Sequence, residues 1–145
     1  MLVFFLYPIW SLVMALEKPY QDIPGTIVFD ADMSRKGYHL NQFFMSLMKA
    51  ENRKRFLADE KAYVDEWPLT DLQKKGVLEQ DYNLCIEQGG NIYFLAKLFY
   101  THEQPFERAV STMSGMTPQE YRAMMLSGGR PIEGNRSTSE NKGNQ

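Results

Sequence analysis

A chain of 145 residues has room for one domain with a sizeable core. Its composition, 43% hydrophobic and 23% charged, excludes wholesale disorder. Sixteen Lys and Arg against eighteen Asp and Glu give a net charge of −2, so no global basic footprint points to nucleic acid as a partner.

The first sixteen residues, "MLVFFLYPIWSLVMAL", contain no charged side chain and are interrupted by Pro8. A membrane span needs about 20 apolar residues, so this run is short for one. Three readings stand open. As a signal peptide it would place Val13 and Ala15 at the small-residue cleavage positions, but a basic start is missing. Alternatively, translation starts at Met14 and the protein begins "MALEKPY". The third reading is a hydrophobic arm, residues 1–16.

Residues 17–36 read as an extended or irregular lead-in. Within it "DIPGT" is a turn, because Pro24 presets φ and Gly25 permits a positive one. "TIVFD" (26–30) is the one strand-like run, and standing alone it is read as irregular. From Leu40 the period changes. Leu40, Phe43, Phe44, Leu47 and Met48 share one helical face, with Asn41, Lys49 and Asn52 off it. Phe56, Tyr63 and Trp67 continue the pattern, so 52–66 is a second helical stretch that stops before Pro68.

Thr70 and Gln73 have capping-box spacing, which opens a helix over "LTDLQKKGVLEQ" that Gly76 weakens by roughly 1 kcal/mol relative to alanine. "DYNLCIEQ" forms a further helix that ends at Gly89-Gly90. "NIYFLAKLFY" (91–100) is apolar nearly all round, so it is expected to be buried on several sides. "THEQPF" (101–106) is a loop, with Pro105 at the first turn of a helix carrying Phe106, Ala109, Val110 and Met113 and ending at Gly115. Thr117, Pro118 and Glu120 sign the last helix, and Gly128-Gly129 closes it. Residues 131–145 read as a flexible, disordered tail. The expected fold is therefore all-α: a compact single domain of about six short helices over residues 17–130.

Chemistry is scarce. The two histidines, His39 and His102, lie far apart without ligand spacing, and Ser46 and Ser111 sit on helices without a strained elbow. The lone Cys85 reads as a small apolar helix residue rather than a reactive thiol. "GGN" (89–91) before a helix offers backbone N–H groups that could face an anion, though helix starts do so generically. "KAENRKR" (49–55) carries four basic residues and reads as a solvated helix face paired with Glu51 and nearby acids. The aromatic and methionine content is the anomaly: nine Phe, nine Met, eight Tyr and two Trp. Most build the core. However, "FFMSLM" and "IYFLAKLFY" are apolar on more than one flank, which points to a partner interface.

Several segments together carry a resemblance: "DIPGT", "KGYHLNQFFMSLMKAENRKRF", "DEW", "GGNIYFLAKL", "MSGMTPQEY" and "GGR". In this combination and order, from about Glu17 to Arg136, the chain resembles the alpha, or small, subunit of protocatechuate 4,5-dioxygenase. The resemblance begins just after Met14, which favours that residue as the start. It implies a cytoplasmic, non-catalytic subunit of an α2β2 enzyme that opens protocatechuate with O2 to 4-carboxy-2-hydroxymuconate semialdehyde. It implies also that Fe(II) and its ligands belong to the beta subunit, whose active-site cleft this chain covers. No metal site, catalytic residue or membrane attachment is expected here. The expected contribution is a substrate-pocket lid: Phe106 on one wall, with Tyr100 and His102 near the mouth. The family often has a Gly-Lys-Ser-Phe type of loop where this chain has "EQPF", so Pro105 stiffens the segment. Gallate or another catecholic acid as substrate, and a free-standing helical adaptor, remain the alternatives.

Overall fold

The computed structural model describes residues 18–130. The expectations for the apolar N-terminus and for the tail lie outside the described residues. Among the described residues the fold is all-α, with no strand. A short 3-10 turn, Pro19–Asp22, precedes nine helices. In chain order these are α1 (Ala31–Lys36), α2 (Tyr38–Ser46), α3 (Ala50–Ala58), α4 (Glu60–Asp65), α5 (Asp71–Leu78), α6 (Tyr82–Glu87), α7 (Ile92–Thr101), α8 (Phe106–Met113) and α9 (Pro118–Leu126). No helix among them is long and apolar enough to cross a membrane.

The count exceeds the expected six or so for two local reasons. The lead-in contains α1, which Asp30 starts by accepting the Asp32 and Met33 N–H groups at 3.0 Å each. Lys18 bridges Asp30 and Asp32, and the Tyr20 hydroxyl donates to Asp30 at 2.9 Å, so the lead-in is tied back onto this helix. Lys18, the Met33 N–H and Tyr20 together hold the Asp30 carboxyl well below the usual carboxylate range. The second reason is Asp59. It is extended (φ −156°, ψ 91°), ends α3, and caps α4 by accepting the Ala62 N–H at 2.9 Å, which splits the stretch read as one helix over 52–66.

The core is built around α2. Leu40, Phe43, Phe44 and Leu47 are buried, as the stripe requires. Met48 is 57% exposed, because α2 ends at Ser46 and the chain leaves the helical register before reaching it. Phe43 meets four rings: Phe44 at 5.6 Å, Phe56 at 5.7 Å, Trp67 at 5.8 Å and Tyr63 at 6.0 Å between centroids. Three of these are edge-to-face, an arrangement worth about 0.5–1.5 kcal/mol per pair beyond the area buried. From the other side, α7 contributes Leu95, Leu98 and Phe99, all fully buried.

Two glycines allow the central crossing. A Cβ on Gly37, between α1 and α2, would fall 1.7 Å from the Gly89 carbonyl oxygen. Gly89 itself has φ +90° and ends the turn after α6. The backbones therefore touch, and buried amides seal the contact. Asn41 donates to the Gly89 carbonyl at 2.9 Å and accepts the Asn91 N–H at 2.8 Å. Gln73 donates to the Lys36 and Gln88 carbonyls at 3.0 and 3.1 Å while its Oε1 accepts the Thr70 N–H, completing the capping box of α5. Asn41, expected off the buried stripe, is buried for this reason. Gly76 has a related role: its Cβ would lie 3.0 Å from Cys85 Sγ, so the glycine that weakens α5 also lets α6 approach.

Gly37 has φ −94°, which suits any residue, so only lack of space forbids a side chain there. Gly37→Ala is expected to cost about 2–3 kcal/mol, because overpacking against backbone has no side chain to yield. Urea unfolding should show a lower midpoint at unchanged slope. A wild-type midpoint would mean that the contact is looser than described.

Candidate functional site

The turn joining α7 to α8 places the three side chains that the sequence nominates. The His102 N–H bonds to the Leu98 carbonyl, the Glu103 N–H to the Tyr100 carbonyl, and the Gln104 N–H reaches back to the Phe99 carbonyl at 2.8 Å. Closing this turn puts Glu103 at φ +55°, a left-handed conformation uncommon for a residue with a side chain. Pro105 then starts α8 with φ −58°.

The three side chains go to three environments. Phe106 is 46% exposed, with its ring 6.3 Å from that of buried Phe99. Tyr100 is 60% exposed and lines an open groove of about 420 Å3 with Leu47, Met48, Arg53 and Lys97. The His102 side chain is only 8% exposed. It packs 5.5 Å from the Phe56 ring, and its Nε2 lies 2.8 Å from Glu60 Oε1. A carboxylate only accepts, so Nε2 carries the shared proton. The Nδ1 atom is buried without a hydrogen-bond partner. Neither Phe106 nor His102 lines the groove that Tyr100 enters.

Among the described residues the donor set does not fit a metal ion. His39 is exposed on α2 beside Tyr38, and His102 is committed to Glu60. No group of three or more His, Cys, Asp or Glu residues among those described could hold one. Nor is there an activated nucleophile among the described residues. Ser46 donates to the Phe43 carbonyl at 2.6 Å and pairs with the Tyr63 hydroxyl at 2.9 Å, while Ser111 donates to the Arg108 carbonyl at 2.8 Å. Cys85 is fully buried, and burial pushes its thiol up to about 12. The "GGN" anion reading closes as well. Gly89 and Gly90 are buried, and the N–H groups of Asn91 and Tyr93 are taken by Asn41 and Asn91 side chains.

The basic stretch differs from its expectation. Arg55 pairs with Glu66 at 2.6 Å, but Lys49, Arg53 and Lys54 find no carboxylate among the described residues. Arg53 instead donates to the Leu47 and Met48 carbonyls at 2.9 Å each, closing the end of α2. The sequence places Leu47 and Met48 on one helical face and reads "FFMSLM" as surplus apolar surface; the structure buries Leu47 and exposes Met48, and the cations beside them are not foreseen. The surplus of cations in "KAENRKR" was the available signal.

A family model described as aromatic-ring-opening dioxygenase LigAB, LigA subunit, matches residues 40–126. The chain belongs to the LigA family. The match runs from α2 through α9 and so takes in the aromatic core, the α7–α8 turn and the groove. A LigA subunit is one part of an aromatic-ring-opening dioxygenase, and the family implies a beta-subunit partner.

The environment of Cys85 in this LigA-family chain gives a direct test. With the thiol held near 12, alkylation of the folded chain at pH 8 should be about 10³-fold slower than for a free cysteine. Labelling in urea should be complete. Rapid labelling without urea would show that α5 and α6 part readily.

Proposed function

We propose that this chain is the non-catalytic small subunit of an extradiol dioxygenase that opens protocatechuate beside its diol with O2, giving 4-carboxy-2-hydroxymuconate semialdehyde. The observation that carries the reading is the LigA match across α2–α9. In this reading Fe(II) and its ligands belong to the beta subunit, and His102 of this chain is engaged with Glu60 instead. The ferrous ion supplies the O2 chemistry on that partner, in an α2β2 assembly. The small subunit contributes walls. Placed over a cleft, an apolar side chain such as Phe106 excludes water and narrows the space around an aromatic ring. The ring of Phe106 is half-exposed at the head of α8, and the tight α7–α8 turn and Phe99 behind it fix its position.

The test is co-expression with the beta chain, addition of ferrous iron, and observation of the yellow semialdehyde. The complex should turn over and the isolated small subunit should not. Stoichiometric iron on the isolated chain, with ring opening that depends on His39 and His102, would overturn the reading. Running gallate beside protocatechuate decides between the two substrates.

A second prediction concerns the wall. Phe106→Ala should change KM or kcat for protocatechuate about ten-fold, the scale on which an apolar pocket contact discriminates, while the subunits still co-purify. Unchanged kinetics with protocatechuate and its analogues would remove Phe106 from the pocket.

A further inference from the structure

The groove between the end of α2 and the outer face of α7 combines open apolar surface with two cations. Its apolar part is large and open: Met48 and Tyr100 are both more than half exposed, with buried Leu47 behind them. Its polar part is cationic, since Arg53 and Lys97 line it and no acid does. This is notable in a chain whose net charge is −2.

Elsewhere many basic side chains are answered by a nearby carboxylate, although Lys36 and Arg130 bond backbone carbonyls and Arg108 meets no acid among the described residues. Lys18, Arg35, Arg55, Lys61, Lys74 and Arg122 each meet a carboxylate at 3.0 Å or less. Arg53 and Lys97 meet none among the described residues, and neither do Lys49 and Lys54 near by in the chain. The Arg53 guanidinium is nevertheless held in place. Its Nη1 is anchored by the Leu47 and Met48 carbonyls, and its remaining N–H groups make no bond among the described residues. A fixed, unspent guanidinium beside an aromatic ring and a thioether is suited to a carboxylate carried on an apolar body.

We propose that this groove docks an acidic segment of the beta subunit, one with an Asp or Glu flanked by an apolar side chain. The proposal rests on the reading of the chain as the small subunit of a two-chain enzyme. Charge complementarity selects the occupant. Two cations on a wide apolar floor are too few for a nucleic-acid backbone, and the groove is too open to enclose a small anion by itself. The location adds a consequence. Tyr100 lies in the groove and also accepts, through its carbonyl, the Glu103 N–H in the turn that leads to Phe106. A partner seated here therefore meets the same turn that presents Phe106.

The experiment measures the dissociation constant of the full-length chain from the beta chain at low and at 0.5 M salt. Lys97→Glu should weaken association about ten-fold or more and flatten its salt dependence, Lys97→Arg should restore it, and Met48→Glu should weaken it in the same direction. Lys75→Glu, on the exposed side of α5, should leave it unchanged. The Lys97 side chain makes no bond within the described fold, so these variants are expected to melt like the parent. Wild-type affinity for both Lys97→Glu and Met48→Glu would overturn the groove while leaving the two-chain reading intact. No association of the parent chains would remove both. Saturable binding of benzoate by the chain alone, abolished by Lys97→Glu with subunit affinity unchanged, would replace the partner segment with a small aromatic carboxylate.

Discussion

The fold depends on one contact between bare backbones. Gly37 and Gly89 meet so closely that no side chain fits between them, and this meeting sets how near the start of α2 comes to the start of α7. A backbone contact of this kind is favourable only if the polar groups it buries are satisfied. Asn41 and Gln73 do this, answering the carbonyls of Lys36, Gln88 and Gly89 and the N–H of Asn91. The two amides are therefore integral to the crossing. An apolar residue of equal size at either place would leave buried acceptors unpaired, at a cost of about 1–3 kcal/mol each.

With α2 and α7 held together, the rest of the molecule follows from the space they leave. Phe43 faces inward among four rings and Phe99 meets Tyr82 in a tilted contact at 4.5 Å, so the aromatic surplus is largely used in the interior. Part of what remains outside lies where helices end, and part in the lead-in at Ile27, Val28 and Phe29. Met48 follows α2, Tyr100 lies in the last turn of α7, and Phe106 opens α8. Short helices have many ends, and ends present side chains that a long helix would fold into its stripe. Apart from His102 Nδ1, the buried polar groups among the described residues are engaged with backbone or with one another.

Local features were legible in the sequence. The Thr70–Gln73 and Thr117–Glu120 boxes form as the spacing indicates, and the Leu40–Leu47 stripe is buried. These depend on neighbours within a turn or two. The features that were not legible depend on distant residues or on fine geometry. Asn41 appeared to be a surface residue because its partners lie about fifty positions further on. The six-residue α1 is too short to show a periodic stripe, and its one local sign is the Asp30 cap. Asp59 breaks a pattern whose apolar spacing runs on without interruption. For the candidate site, the sequence brought Tyr100, His102 and Phe106 together as one loop, and the structure turns their side chains three ways. His102 could not have been placed without knowing that Glu60 lies opposite.

The meeting of Gly37 with Gly89 also constrains the order in which the molecule can be assembled. Helix caps form as soon as a few residues are available, whereas this contact closes a long loop and must overcome the entropy of doing so. As the polypeptide leaves the ribosome, Phe43 and Phe44 emerge well before Leu95 and Phe99, against which their helix rests. During that interval the nascent chain carries the inward face of α2 without the helix that covers it.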